Sequence, residues 1–192
     1  MNRKTAMKLF GLLGLLMLLS CGYADRHRNN SSCEQVLVDS LEVRVQDSLF
    51  SNVHYSRSQV LDALTQAQDS QVYYRLLALY GKTFFVSSDF DSILYYNRRV
   101  KEFSRNASQS SESLQSPQWN DVLSDVYNIE GNVWMQLNRP DSAITDYKKA
   151  YEYRLKGKKL HLLPDICINT ADAYLHRSDL AHTASYYRRA LF

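Results

Sequence analysis

The rhythm of apolar positions changes twice along the chain. LFGLLGLLMLL (9–19) is apolar at eleven consecutive positions, and GYADRHRNNSS (22–32) has no apolar rhythm at all. From residue 34 onward apolar residues return three and four apart, the spacing of one helix face. EQVLVDSLEVRVQDSLF (34–50) and residues 57–68 predict two amphipathic helices. Beyond them, LYGKTFFVSSDFDSILYYNRRV (79–100), IEGNVWMQLNRPDSAITDYKKA (129–150) and NTADAYLHRSDLAHTASYYRRA (169–190) can be laid over one another. With three prolines, six glycines and no long polar low-complexity run, most of the chain is expected to be ordered.

The overlay is specific. Gly81, Gly131 and Ala171 are each followed three places later by an aromatic residue: Phe84, Trp134 and Tyr174. Further on come Tyr147 and Tyr187, then Ala150 and Ala190, where the first segment has Asn97 and Val100. The segments start 50 and 40 residues apart. This resembles the tetratricopeptide repeat, in which two antiparallel helices cross at small residues and aromatics fill the gaps. The resemblance implies an all-α fold, a short solenoid of antiparallel helix pairs over 69–192. Its repeats would lie near 74–107, 124–157 and, incomplete, 164–192, with 33–68 as preceding helices or a worn first repeat. Departures exist: Ile93 and Thr183 stand where Ala143 fits, and Tyr80, Glu130 and Thr170 occupy a position that is usually leucine. Pro117 and Pro164 suit first helical turns. Asp91-Ser92 and Pro140-Asp141-Ser142 are expected at the turns that cap each second helix. SRNASQSSESLQSP (104–117) reads as a polar insertion with a longer incoming helix, which accounts for the wider first spacing.

The N-terminal stretch reads as a processing signal. A helix needs roughly 20 apolar residues to span the membrane, and Lys8 stops the apolar run from extending backwards. A basic start, a short apolar segment and small Ser20 make 1–20 a secretory signal peptide. Leu18-Leu19-Ser20-Cys21 resembles a bacterial lipobox, which implies lipid attachment to the Cys21 thiol, cleavage before it and stable membrane anchoring by several acyl chains. Residues 22–32 then form a tether. Gly22 in place of aspartate and the absence of an acidic run favour the outer membrane over the inner, with the protein facing the periplasm. Cys33 and Cys167 would share that oxidising compartment, as a disulfide or as two unpaired thiols with Cys167 in the core.

Charge removes one class of partner. The formal net charge of +3 comes entirely from Arg3, Lys4 and Lys8, and residues 21–192 hold 20 basic and 20 acidic side chains. Nucleic-acid binding needs a cationic surplus, so it is not expected. The 14 tyrosines point to aromatic packing or a recognition surface. There is no phosphate-cradling glycine loop, CxxC, HExxH or nucleophile elbow, and Asp172 with His176, spaced i,i+4, are too few for a metal site. No enzyme, cofactor or metal is expected.

What remains is a binding surface. In the tetratricopeptide fold the first helix of each pair lines a concave groove. Carried onto this chain, the resemblance places Arg75, Lys82 and Phe85, then Asn128, Asn132 and Met135, then Asp172 and His176 in it. Cations and amides of this kind suit a peptide carboxylate or backbone, although the spacing differs from the family's known carboxylate clamps. The expected partner is a protein or peptide. The pattern also resembles the exported N-terminal part of tetratricopeptide-containing regulators of Gram-negative bacteria. An adaptor lipoprotein for outer-membrane or secretion-machinery assembly is the alternative. Leu191 and Phe192 follow Ala190 without a polar capping helix, so either the chain is a shortened copy of a longer protein, or a partner or another copy is expected to cover that end.

Overall fold

The computed structural model describes residues 35–109 and 116–191, and the signal peptide, Cys21, the tether and Cys33 lie outside these. The described residues form helices and no strand: α1 (35–48), α2 (Val53–Gln66), α3 (Ser70–Lys82), α4 (Phe90–Gln109), α5 (Pro117–Gln136), α6 (Pro140–Arg154), α7 (Leu163–His176) and α8 (Leu180–Ala190), with a short 3₁₀ turn at Leu160–Leu162. The chain is all-α. No described helix is long and apolar enough to cross a membrane.

Consecutive helices run antiparallel. Along α5 and α6, Trp134 meets Asp146, Asn132 meets Tyr147, Ser124 meets Ala150 and Asp121 meets Arg154. The same descending register joins α3 to α4 through Tyr80 with Tyr96 and Tyr74 with Phe103. It joins α7 to α8 through Tyr174 with His182 and Asp172 with Tyr187. Each pair then packs on the next, α4 against α5 and α6 against α7.

The turn inside each pair is the same. Ser88, Asn138 and Ser178 all take left-handed backbone, with φ of 54°, 55° and 58°. The next amide nitrogen, of Asp89, Arg139 or Asp179, donates to the carbonyl of Phe84, Trp134 or Tyr174 five residues back. One such bond satisfies an orphan carbonyl at the end of a helix. The recurrence follows the spacing of 50 and 40 residues read from the sequence.

Some boundaries differ from expectation. The first of these second helices is capped by Asp89, whose carboxylate accepts from the Ser92 amide at 3.1 Å, and Asp91 sits inside the first turn instead. Arg139 begins α6 without a side-chain cap, Pro140 already lacking a donor. Helix α4 continues to Gln109, into the expected loop, because Phe103 stacks on Tyr74 at 4.1 Å and Ala107 is buried. Helix α2 begins at Val53, four residues early, where Asn52 accepts from the Tyr55 amide.

The core follows the pairing. Val38, Leu41 and Val45 of α1 pack with Val60 of α2 and Val72, Leu76 and Leu79 of α3. Trp119, only 2% exposed, anchors the junction of α3, α4 and α5 and donates to the Ser104 hydroxyl at 3.0 Å. Ala143, Ile144 and Tyr147 join Ala173 and Tyr174 between the last two pairs. Cys167 is buried in α7, and burial pushes its thiol pKa up.

Candidate binding cleft

Parallel placement of α1, α3 and α5 creates an inner polar face. Arg75 on α3 is 6% exposed, yet it carries a full charge, so its partners must lie within the fold. They come from α1: Gln35 at 3.1 Å, Asp39 at 2.6 Å and Glu42 at 2.9 Å. Burial works against the guanidinium charge, but the two carboxylates outweigh it and hold the pKa above its ordinary value. Glu42 also accepts from Lys159, at 2.8 Å and 117 positions away, in the connector between α6 and α7. Burial lowers and Glu42 raises the Lys159 pKa, with the net shift upward.

The connector is fixed by a second buried carboxylate. Asp121 accepts from Arg154 at 2.7 Å and from the backbone amides of Lys158 and Lys159 at 2.9 and 3.2 Å. Arg154 is 1% exposed and also pairs with Asp125. A side chain at Gly157 would place its Cβ 2.2 Å from the Asp121 carboxylate, so this close approach requires glycine.

Two connected clefts result. The inner one, of about 130 Å³, lies among α1, α3, α4 and α5. The outer one, of about 550 Å³, extends from it to the connector. Glu42, Arg75, Lys82, Asp125 and Lys159 line both.

Of the residues expected in a groove, Arg75, Lys82, Asn128 and Asn132 come together on the inner cleft. Arg75 differs in role, since its charge is already met by Asp39 and Glu42. Lys82 donates to Gln46 Oε1 at 2.8 Å and has no carboxylate partner among the described residues. Asn128 Oδ1 accepts from Asn169 and Asn132 Oδ1 accepts from the Tyr147 hydroxyl at 2.7 Å. Those bonds leave each amide nitrogen as the available donor.

The remaining four lie elsewhere. Phe85 is drawn into a cluster with Ile93, Ile129 and Val133, because the turn after α3 folds it back against the pair. Met135, in the last turn of α5, packs against the cluster of Ala143, Ile144, Tyr147, Ala173 and Tyr174. Asp172 and His176 are exposed on α7 and line neither cleft. Asp172 accepts from Tyr187 and does not engage His176. No group of three or more metal-ligating side chains occurs among the described residues.

Residues missed from the sequence are Glu42, Gln46, Asn97, Asp125 and Lys159. Asn97 carried the available signal, since it stands where the other two segments have tyrosine.

These features define an all-α protein built of stacked antiparallel helix pairs around a polar inner cleft. No protein-family model and no curated protein matches the chain. Among solved structures it is similar to the crystal structure of BtubC (BKLC) from P. vanneervenii, with 13% identity, a TM-score of 0.41, and 82% of this chain and 79% of that chain covered.

Proposed function

We propose that the chain is a lipid-anchored, periplasm-facing scaffold of tetratricopeptide type that binds a protein or peptide along its inner face and carries out no catalysis. The observation that supports this reading is the convergence of Lys82, Asn128 and Asn132 on one cleft with donors left unmet by the fold. An extended peptide offers a backbone carbonyl at every residue, and each of these half-buried donors it satisfies adds about 0.5–1.5 kcal/mol. The lipid on Cys21 would hold the scaffold at the membrane, as the sensory part of a signalling regulator. The adaptor role in envelope assembly is the second reading.

Selection of peptides from a random displayed library tests the binding role. Lys82→Glu combined with Asn132→Ala is expected to lower capture of selected peptides at least tenfold with an unchanged helical circular dichroism spectrum. Undiminished capture would remove the cleft from the binding surface. Mass spectrometry of membrane fractions tests the anchor, and a soluble, unmodified chain beginning at Met1 would refute it.

A further inference from the structure

In the second helix pair, the tyrosine ring of α6 lies directly on the backbone of α5. A Cβ added at Gly131 would fall 2.3 Å from Tyr147 Cε1, and the ring continues past it until its hydroxyl donates to Asn132. In the third pair Tyr187 reaches the equivalent Asp172 through its hydroxyl. The first pair has the same register but a shorter side chain. Asn97 occupies the tyrosine position, Gly81 the glycine position, and Lys82 the position of the acceptor.

Asn97 ends early. Its Nδ2 donates to the Val126 carbonyl at 3.2 Å, and its Oδ1 has no partner although the residue is 0% exposed. An added Cβ at Gly81 would meet Asn97 Oδ1 at 3.6 Å, Tyr96 Cβ at 3.0 Å and Tyr96 Cγ at 3.8 Å, so its neighbours come from Tyr96 and Asn97 and the contact is looser than at Gly131. The inner cleft runs past the short Asn97 side chain, with Asn97, Ala78, Leu79, Val126 and Ile129 in its wall and Lys82 at the acceptor position. Its volume of about 130 Å³ is close to the roughly 150 Å³ known to accept a benzene ring.

We propose that this cleft receives one tyrosine side chain from the bound peptide, its hydroxyl seated at Lys82 as the Tyr147 hydroxyl is seated at Asn132 in the second pair. The proposal rests on the reading that the inner face binds a peptide. It adds chemistry to that reading: the ring packs on Ala78, Leu79, Val126 and Ile129, the apolar part of a cleft lined mostly by polar residues, and the phenol oxygen accepts from Lys82. In the other two pairs the same position is an acceptor and the tyrosine is the chain's own. With a cation at that position, the incoming phenol oxygen accepts where the chain's own tyrosine hydroxyls donate.

The test titrates the full chain with N-acetyltyrosinamide, read by backbone and side-chain ¹H–¹⁵N shifts. Saturable shifts are expected at the Asn97 side-chain amide and at Ala78, Val126 and Ile129. N-acetylphenylalaninamide should bind roughly fivefold more weakly, the equivalent of one ~1 kcal/mol hydrogen bond. N-acetylleucinamide should give no saturable shifts there. Asn97→Tyr fills the cleft from α4 and Ala78→Leu fills it from α3, and either should abolish the tyrosinamide shifts. Equal binding of the leucine compound, no saturable shifts in the unsubstituted chain, or full binding in both filled variants overturns the proposal. The two readings separate cleanly. If filled variants keep full capture of selected peptides while Lys82→Glu with Asn132→Ala loses it, the ring site falls and the groove stands. If that double variant keeps capture while tyrosinamide still binds the cleft, the groove falls and the ring site stands.

Discussion

Glu130 occupies a position where the repeat pattern asks for leucine, and it is 3% exposed. The sequence marks it only as a mismatch, because its partner, Lys101 at 2.6 Å, comes from the preceding helix pair. Burial raises the Glu130 pKa, and Lys101 offsets only part of that. The sign of the linkage follows. A carboxyl whose folded pKa lies above its unfolded value contributes stability that is fully present below the unfolded pKa, near 4.3, and is lost as pH rises through the folded pKa. At neutral pH the charged form is therefore a cost. Glu130→Gln is expected to melt at an equal or higher temperature than the unsubstituted chain at pH 7, with the difference shrinking toward pH 4. Calorimetry at the two pH values checks it, and a clear loss at pH 7 would mean that the ion pair outweighs desolvation. Arg75 illustrates the same limit of sequence reading. Its residue type pointed to ligand recognition, but its carboxylate partners lie 36 and 33 positions away.

At the level of elements, the periodic signals were the legible part. Small-then-aromatic spacing located the crossing point of each pair, and the 50- and 40-residue offsets located the turns. Caps were less legible, because Asp89, Asp91 and Ser92 offer competing oxygens within one turn and only geometry chooses Asp89. The two crossing glycines also differ in a way that sequence does not reveal. A methyl group at Gly131 would strike the Tyr147 ring at 2.3 Å, whereas at Gly81 the nearest contact is 3.0 Å. Alanine gains roughly 1 kcal/mol over glycine in a helix interior, while overpacking costs about 1–3 kcal/mol. Gly131→Ala is expected to be destabilising and Gly81→Ala close to neutral. Urea unfolding midpoints of the two variants test this order, and equal effects would contradict it.

Across the whole molecule, one ionic contact ties the first described helix to a connector far along the chain. Glu42 and Lys159 have side chains 21% and 38% exposed, so water screens their attraction and a contribution of at most about 1 kcal/mol is expected. Lys159→Ala should accelerate amide hydrogen exchange across 35–48 by up to roughly fivefold, leaving α7 and α8 unchanged. The difference should shrink in high salt, where the Debye length shortens to about 3 Å at 1 M. Unchanged exchange would assign the docking of α1 to Val38, Leu41 and Val45 together with the contacts of Arg75 and Lys82 from α3. The turn shared by the three pairs has a further consequence. Each left-handed residue follows its groove-position residue by six places, so Lys82, Asn132 and Asp172 stand on one ruler. Along it the side chains pass from cation to neutral amide to carboxylate. The row is a dipole along the stack, its cationic end inside the cleft at Lys82 and its anionic end on the exposed face of α7 at Asp172.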